Sequence, residues 1–301
     1  MLRRLLVPAV VVAIAATGAV LAQSAAQRDQ AAMKGQVVLI TGSTDGLGRE
    51  VARRVAAAGA HVIVHGRNAG RGAALVDEIT KAGKGSARFY AADLASLAQV
   101  RQFADAVQRD YKRLDVLVNN AGIWLQGPRQ VSADGHELHF AVNYLSGFLL
   151  TRLLLPVIVQ SAPSRIINVA SGSQAPIDFS DVMLTRPGRA SQGYAQSKLA
   201  QVMFTFDLAR ELEGTRVIVA ALHPATMMDT TMVRQSGMPA ISTVDEGARA
   251  VMNLITSPGL QSGQYFSGMR ASRAQGQAYD EAARAKLRVL SMELTGLSVR
   301  Q

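Results

Sequence analysis

The chain has 301 residues, of which 49% are hydrophobic and 18% charged, a composition typical of a globular protein with a substantial core. It contains no cysteine, which excludes disulfides, thiolate catalysis and cysteine-based metal sites, and its five histidines show no spacing that predicts a metal site. The net charge is +10, but basic residues are scattered and only 5% of residues are aromatic, so nothing favours a nucleic-acid partner.

The first 32 residues are typical of a targeting segment. Arg3 and Arg4 precede an uncharged apolar run, Leu5–Ala22, that ends in small residues. This order predicts a signal peptide or an N-terminal membrane anchor with a short linker, and either one places the rest of the chain in an exported or membrane-anchored, periplasmic location. The alternative is a cytoplasmic protein that begins at Met33, directly before the first predicted strand.

From Gln36 onward, short β-branched runs alternate with helical stretches. The predicted strands are Val37–Ile40, Val62–His65, Ala87–Ala91, Val116–Asn119, Ile166–Ala170 and Val217–Leu222. The predicted helices include Arg49–Ala58, Leu97–Tyr111 and Gln196–Leu212. Apolar strands separated by helices indicate a parallel sheet covered on both faces. We therefore predict one α/β catalytic domain over residues 33–301, a doubly wound parallel sheet of the Rossmann type.

A glycine-rich turn follows the first predicted strand and leads directly into a helix. Its three glycines would allow a tight turn, close approach of a pyrophosphate and close packing of the helix against the strand. Free N–H groups at the helix N-terminus favour an anion at the same place. This placement predicts a dinucleotide site with contacts from Gly42, Ser43, Asp45, Gly46, Leu47 and Gly48.

The end of the second strand indicates which dinucleotide binds. A site for NAD usually has an acidic residue there for the ribose 2′-hydroxyl, whereas this chain has Arg67. A guanidinium can bind a 2′-phosphate through charge-assisted hydrogen bonds, and a carboxylate would repel it. We therefore predict NADP in preference to NAD, with Arg49 and His65 as weaker candidates for the same phosphate.

Tyr194 and Lys198 are the candidate acid–base centre. Their spacing of i and i+4 places both on one face of a predicted helix. A phenol normally titrates near ~10, and a neighbouring ammonium would lower its pKa toward the range useful for proton transfer. The pair alone is a weak motif because any helix can contain it by chance.

Taken in order, these motifs resemble the short-chain dehydrogenase/reductase family. The residues that carry the resemblance are Thr41–Gly48, Asn119–Gly122, Asn143, Ser171, Tyr194 and Lys198. It extends from Lys34 to the C-terminus. Within the family, the stretches Phe148–Thr151 and Ser161–Val169 and the long interval between Ser171 and Tyr194 are most similar to retinol-dehydrogenase-like members.

The resemblance implies an NADP-dependent oxidoreductase that moves a hydride between nicotinamide and a carbonyl or alcohol. In that scheme Tyr194 is the general acid and base, and Lys198 lowers its pKa and binds the nicotinamide ribose. Ser171 orients the substrate oxygen, and Asn143 anchors a water that links Lys198 to solvent. Further cofactor contacts are implied for Asp93, Leu94, Asn120, Ala121, Gly122, Pro224 and Thr226. Pairing of two copies through the long helices after Asp134 and at Gln196–Leu212 is also implied.

The segment after the sixth strand departs from the family pattern. The family usually has glycine after the proline, whereas Pro224 is followed here by alanine. The hydroxyl expected downstream comes one residue late, since Asp229 occupies its position and Thr230 follows. Thr226 is the candidate replacement for that contact with the cofactor.

The catalytic serine has an alternative as well. Ala170 stands where the family often has the first of two serines, so Ser171 is the main candidate and Ser173 the second.

The substrate is the least determined part of the prediction. One wall of its pocket is predicted from Ile177, Phe179, Met183 and Leu184, and a lid from Met227, Met228 and Met232. Methionine-rich apolar walls suit a hydrophobic small molecule, although the same residues could equally belong to the core. A catalytically silent nucleotide-binding sensor is the alternative function, and such a protein would not need Tyr194.

Overall fold

An eight-stranded sheet occupies the centre of the computed structural model, which describes residues 33–298. Residues 1–32, on which the signal or anchor prediction falls, and residues 299–301 lie outside the described residues. The strands are β1 (Val37–Ile40), β2 (His61–Gly66), β3 (Ser86–Ala91), β4 (Val116–Asn119), β5 (Ser164–Val169), β6 (Val217–His223), β7 (Gln264–Ser267) and β8 (Arg270–Ala271). Their order across the sheet is β3-β2-β1-β4-β5-β6-β7-β8, and only β7 and β8 pair antiparallel.

Helices connect the strands. They are α1 (Gly46–Ala57), α2 (Ala69–Ala82), α3 (Leu97–Asp110), α4 (Ser146–Gln160), α5 (Gly193–Glu211), α6 (Thr231–Gln235), α7 (Val244–Thr256) and α8 (Glu281–Thr295). A π-helical segment, Phe140–Leu145, leads directly into α4. Polar side chains accept hydrogen bonds from the first turns of α2, α3, α7 and α8, which satisfies N–H groups that a helix leaves free; they are Asn68, Ser96, Thr243 and Asp280.

The core has two parts, one on each face of the sheet. Val51 of α1, Leu75 of α2 and Val251 of α7 pack on one face. Phe103 of α3 and Leu199 of α5 belong to the apolar cluster on the other face. Burial of the central strands on both sides is the reason for their continuous apolar sequences. The predicted doubly wound α/β fold is confirmed.

One helical run in residues 33–298, Phe140–Gln160, is long and apolar enough to cross a membrane, with a mean hydropathy of 1.7. Most of the run is buried inside the protein, and Phe148, Leu149 and Leu154 are at most 1% exposed. It packs against α3 and the sheet. We therefore assign it to the core.

The last helix, α8, covers the outer side of α5 and of the π-helical segment. Arg288 of α8 donates to Asp207 of α5 at 2.7 Å, and the Ser291 hydroxyl lies 2.7 Å from that of Tyr144. α8 thus covers part of α5, one of the two helices named above for the pairing of two copies.

The bounds of the predicted elements shift by a few residues. The strand predicted at Val62–His65 extends by one residue at each end, and the helix predicted from Gln196 begins at Gly193. The strands and helices after Thr226 had no counterpart among the predictions.

Candidate active site

The predicted site residues meet at the carboxyl edge of the sheet. The turn at Gly42 follows β1, Asn120 follows β4, Ser171 follows β5 and Pro224 follows β6. The order of strands reverses between β1 and β4, and ligands of doubly wound folds bind in the crevice outside such a reversal. Topology alone therefore brings these four loops to one crevice.

The glycine turn is as tight as predicted. Gly42 has a φ of +64°, and a Cβ there would lie 2.9 Å from the Ala121 Cα. A Cβ at Gly48 would lie 2.3 Å from the Gly42 carbonyl oxygen and 2.4 Å from the Asn120 amide nitrogen. Neither position has room for a larger residue. The N-terminus of α1 consequently lies directly against the β1 and β4 loops, with its backbone open to a ligand.

Ser43 and Asp45 hold this turn in place. The Ser43 N–H donates to the His65 carbonyl, and the Ser43 hydroxyl accepts from the His65 N–H, both at 2.9 Å. Both polar groups of Ser43 therefore bind β2 instead of facing the crevice. Asp45 accepts from the Gly46 N–H at 2.7 Å and pairs with Arg71 at 2.9 Å.

Arg67 is an exposed cation at the end of β2. Its side chain has no hydrogen-bond or ion-pair partner among residues 33–298. The two weaker candidates are engaged elsewhere: Arg49 pairs with Glu78 at 2.5 Å, and His65 is buried and accepts from the Gly42 N–H at 3.0 Å. Burial lowers the pKa of His65 to about 4, so it is neutral near pH 7 and supplies no charge.

The loop after β4 is fixed to the glycine turn. The Asn120 side chain donates to the carbonyl oxygens of Thr41 and Gly42 at 2.8 and 3.2 Å. The N–H groups of Asn120 and Ala121 both donate to the Thr41 hydroxyl at 3.0 Å. At the end of β3, Asp93 uses one carboxylate oxygen to accept from the Ala95 N–H at 3.0 Å, whereas Leu94 is buried in the apolar core and Gly122 is partly buried.

Tyr194 stands on the first turn of α5, and the Ser171 side chain reaches it from the end of β5. The Ser171 hydroxyl oxygen accepts from the Ser173 N–H at 3.1 Å, so its own proton is free to be donated toward Tyr194 or a substrate. Ser173 itself is exposed. Geometry therefore favours Ser171 over Ser173 as the hydroxyl beside Tyr194.

Lys198 lies behind the tyrosine ring, with Nζ 5.8 Å from the ring centroid. Nζ donates to the Val169 carbonyl and to the Gln201 side chain, both at 2.9 Å. No hydrogen bond joins it to Asn143. Both side chains instead approach Gly122, where a Cβ would lie 3.4 Å from Nζ and 3.3 Å from the Asn143 Oδ1.

Asn143 holds the chain after Gly122. Its Oδ1 accepts from the Ile123 N–H at 2.7 Å, and its Nδ2 donates to the Ile123 carbonyl and the Ser197 hydroxyl at 3.1 and 2.9 Å. The π-helical backbone at Asn143 directs the side chain toward this loop, a placement often found at functional sites.

Burial controls the protonation of the catalytic pair. Burial raises the pKa of Tyr194, and the hydrogen bond with Ser171 opposes that rise. Burial also lowers the pKa of Lys198 to about 7. Lys198 does not lower the pKa of Tyr194 here, because a lysine with a pKa of about 7 is already neutral above pH 10, where the tyrosine would ionise.

Thr230, and not Thr226 or Asp229, approaches the glycine turn from the β6 side. The Thr226 hydroxyl lies 2.9 Å from the His223 Nε2, and Asp229 is exposed. Thr230 is buried, and its Cγ2 is 3.3 Å from where a Cβ would be at Gly46. The late threonine in the sequence is thus the one that reaches the glycine turn, with its methyl group toward Gly46 and its hydroxyl accepting from the Val233 N–H at the start of α6.

Trp124 is a wall residue that the motifs did not reveal. Its ring lies 5.9 Å from that of Tyr194, two residues beyond Gly122. Of the predicted wall, Ile177 and Leu184 are buried in the protein, and partly buried side chains lie nearer the surface: Phe179, Met183, Met227, Met228 and Met232. The part of the chain that the structure describes has no cluster of side chains that could hold a metal ion.

Comparison with known proteins identifies the family. Residues 36–239 match the family model of the short chain dehydrogenases. Human retinol dehydrogenase 14 is 36% identical to this chain over 300 residues, which cover 89% of each chain. The chain belongs to the short-chain dehydrogenase family, and the predicted resemblance is confirmed. It is an NAD(P)-dependent oxidoreductase.

Solved relatives bind both dinucleotides. The Pseudomonas aeruginosa RhlG/NADP active-site complex is 28% identical, with a TM-score of 0.64, and covers 78% of this chain and 95% of its own. The Brucella melitensis 3-ketoacyl-(acyl-carrier-protein) reductase complexed with NADH is 27% identical, with a TM-score of 0.63, and covers 78% and 96%. Family membership therefore leaves the choice of cofactor to this chain's own residues.

Proposed function

We propose that this protein is an NADP-dependent oxidoreductase that acts on an apolar carbonyl or alcohol through Tyr194, Lys198, Ser171 and Asn143. The observation that carries the proposal is the meeting of the Tyr194 and Ser171 hydroxyls, backed by the buried Lys198, at the same sheet edge as the glycine turn. A proton donor, an orienting hydroxyl and a dinucleotide cradle thereby share one crevice.

The side chains divide the work of proton transfer. The Ser171 hydroxyl donates to the substrate oxygen and orients it toward Tyr194. The Tyr194 hydroxyl gives its proton to that oxygen in reduction and takes it back in oxidation. Lys198, held by Val169 and Gln201, favours the phenolate to the extent that it is protonated. Bound nicotinamide supplies or accepts the hydride.

The residues present fit such a cofactor. The absence of side chains at Gly42 and Gly48 leaves backbone N–H groups of α1 accessible to a pyrophosphate. Asn120 fixes the loop after β4 to the glycine turn, and Asn143 fixes the same loop at Ile123. The exposure of Arg67 and its lack of a partner among the described residues support a contact with a 2′-phosphate.

Substitution of Tyr194 distinguishes the proposed enzyme from the alternative function, a catalytically silent nucleotide-binding sensor. With NADPH and a panel of apolar aldehydes and ketones, Tyr194→Phe should lower kcat/KM by roughly 10²- to 10⁴-fold, since a general acid contributes about that much. Tyr279→Phe, at a surface tyrosine that is 41% exposed, is the matched control and should retain activity. If wild type turns over no carbonyl or alcohol yet binds the dinucleotide, the silent sensor is favoured.

Loss of the guanidinium tests the cofactor preference. Arg67→Ala should raise the Kd for NADPH by roughly tenfold or more, because a charge-assisted contact with the 2′-phosphate is lost, and should leave the Kd for NADH nearly unchanged. Arg249→Ala removes an equally charged but distant side chain and controls for net charge. Equal weakening of both dinucleotides by Arg67→Ala would refute the 2′-phosphate contact.

The location of the protein and its oligomeric state are tested separately from its catalytic activity. We propose that residues 1–32, outside the described residues, direct export or anchor the catalytic domain, residues 33–301, in a membrane. Fractionation of cells that produce the full chain or a chain beginning at Met33 tests this. A homodimer paired through the long helices after Asp134 and at Gln196–Leu212 is the assembly that family resemblance implies, and sedimentation of the protein would detect it.

A further inference from the structure

Glu137 and His139 form a buried hydrogen-bonded pair beside the site. Their side chains are 3% and 9% exposed, and the Glu137 Oε1 lies 2.8 Å from the His139 Nδ1. The other ring nitrogen, Nε2, accepts from the Leu125 N–H at 3.0 Å. A nitrogen that accepts carries no proton, so the proton is on Nδ1 and is donated to Glu137. The pair thus holds one tautomer of His139.

Glu137 is itself fixed by the start of the helix. Its Oε1 accepts from the His139 N–H at 3.1 Å, and its Oε2 accepts from the Phe140 N–H at 2.7 Å. These bonds satisfy N–H groups at the beginning of the π-helical segment. Glu137 therefore has a defined position from which to orient the imidazole.

Two elements of the site rest on the pair. A Cβ at Gly193 would lie 2.7 Å from the Glu137 Oε1 and 2.8 Å from the His139 Nδ1, so the first turn of α5 is in direct contact with both side chains. The imidazole also meets the Tyr194 ring edge-on, with the ring centroids 6.3 Å apart. On the other side, the bond to Leu125 fixes the residue next to Trp124.

We propose that Glu137 and His139 are positioning residues that set the substrate wall formed by Trp124 against Tyr194. The inference rests on the proposed function, because it assigns the surface beside these two contacting rings to the substrate. Asn143 fixes one side of Trp124 through Ile123, and His139 fixes the other side through Leu125. His139 and Asn143, both near the start of the helix, thereby fix the two ends of the segment from Ile123 to Leu125.

Two amide substitutions separate the two bonds of the imidazole. The shorter side chain in His139→Asn would place its amide near the former Nδ1 and could still donate to Glu137, but it cannot reach the Leu125 N–H. His139→Gln places a carbonyl near the former Nε2 and can still accept from Leu125. Trp124 is the only tryptophan of the chain, so tryptophan fluorescence reports on this wall alone.

The expected result is a difference between the two variants of the full chain. His139→Asn should increase quenching of Trp124 by acrylamide roughly twofold and raise the KM for carbonyl substrates roughly three- to tenfold, the range for loss of one hydrogen bond, with a smaller effect on kcat. His139→Gln should stay near wild type in both. His136→Asn, on the same segment but bonded to Leu294, is the matched control.

Equal behaviour of the Asn and Gln variants, or unchanged quenching in folded His139→Asn, would overturn the proposal. If circular dichroism shows that His139→Asn does not fold, Glu137→Gln replaces it, because a weaker acceptor no longer fixes the tautomer and quenching should again rise. Unchanged quenching in that variant would also overturn it. Fluorescence needs no turnover, so a failure of the proposed function would appear separately, as absence of activity with wild type.

Discussion

Lys198 is buried, and burial of its positive charge costs free energy. It is 4% exposed, and its nearest partners are a carbonyl and an amide oxygen, not a carboxylate. Burial therefore lowers its pKa to about 7. A protein retains such a group at the expense of stability, which is a common property of functional sites.

Removal of that cation should stabilise the fold. The folded pKa of Lys198 is about 7, and that of an unfolded lysine is about 10.4, so the unfolded state binds more protons between these values. Stability of wild type then rises with pH over this range, and the penalty is largest at pH 7 and below. Lys198→Met should raise the free energy of unfolding by about 1–3 kcal/mol at pH 7.

The measurement is urea denaturation of both proteins at pH 7 and pH 10. The advantage of Lys198→Met should shrink toward pH 10, where the folded wild-type lysine is already neutral. Lys286→Met, on the exposed side of α8, should show no such dependence on pH. An advantage that does not change with pH would mean that packing, and not charge burial, separates the variants.

At the scale of single residues, the sequence predicted where the site residues lie better than it predicted their hydrogen bonds and pKa values. Gly42 and Gly48 could be predicted because only glycine fits where two loops touch. The commitment of Ser43 to β2 could not, because it depends on a hydrogen bond to His65, which is remote in sequence. The rise in the Tyr194 pKa depends likewise on how deeply α5 buries the phenol.

Among the elements, the long loop between β5 and α5 is braced from within by Asp181, alongside bonds from other segments such as that from the Gln196 side chain to the Val182 carbonyl. Asp181 accepts from the Thr185 N–H at 2.7 Å and the Thr185 hydroxyl at 2.8 Å, and it pairs with Arg186 at 3.2 Å. Burial alone would raise its pKa, but the bonds from Thr185 and Arg186 outweigh that and lower it. The carboxylate is thereby the internal cap of a loop that borders the substrate wall.

Asp181→Asn should loosen this loop, because an amide cannot accept all of these bonds. Cleavage by trypsin after Arg189, at the end of the loop, should become several-fold faster, with Asp105→Asn on α3 as the control.

The lowered pKa of Asp181 stabilises the fold above the ordinary aspartate value of about 3.9, and this contribution is lost as pH falls through the folded value. The difference in Tm between wild type and variant should therefore narrow below about pH 4.

The elements that the sequence predicted well are those with strong local signals. β1 and β4 have the predicted bounds because buried strands are uniformly apolar. The start of α5 at Gly193 was missed, since no side chain caps it and Gly193 packs against Glu137, which is remote in sequence. Contacts between distant segments decide such boundaries.

At the scale of the whole molecule, α8 covers the apolar cluster that also contains Phe103 of α3 and Leu199 of α5. Leu287 is 1% exposed and borders the aromatic side chains of Tyr144, Phe148 and Phe204. No motif follows Thr226, so the sequence did not predict this helix or what it covers. α8 also covers part of α5, one of the two helices that family resemblance assigns to the pairing of two copies.

Detachment of α8 should therefore expose an apolar surface. Leu287→Asp places a charge in that contact and should cost about 3 kcal/mol or more in the free energy of unfolding, because it combines a lost apolar side chain with a buried charge. Val289→Asp introduces the same charge on the same helix at a residue that is 43% exposed, and it should be nearly neutral. Sedimentation velocity at increasing concentration should show association of Leu287→Asp and none that is new in Val289→Asp. Association of both variants would assign the effect to the added charge. A Leu287→Asp protein that is destabilised but stays monomeric would show that the apolar surface under α8 does not promote association.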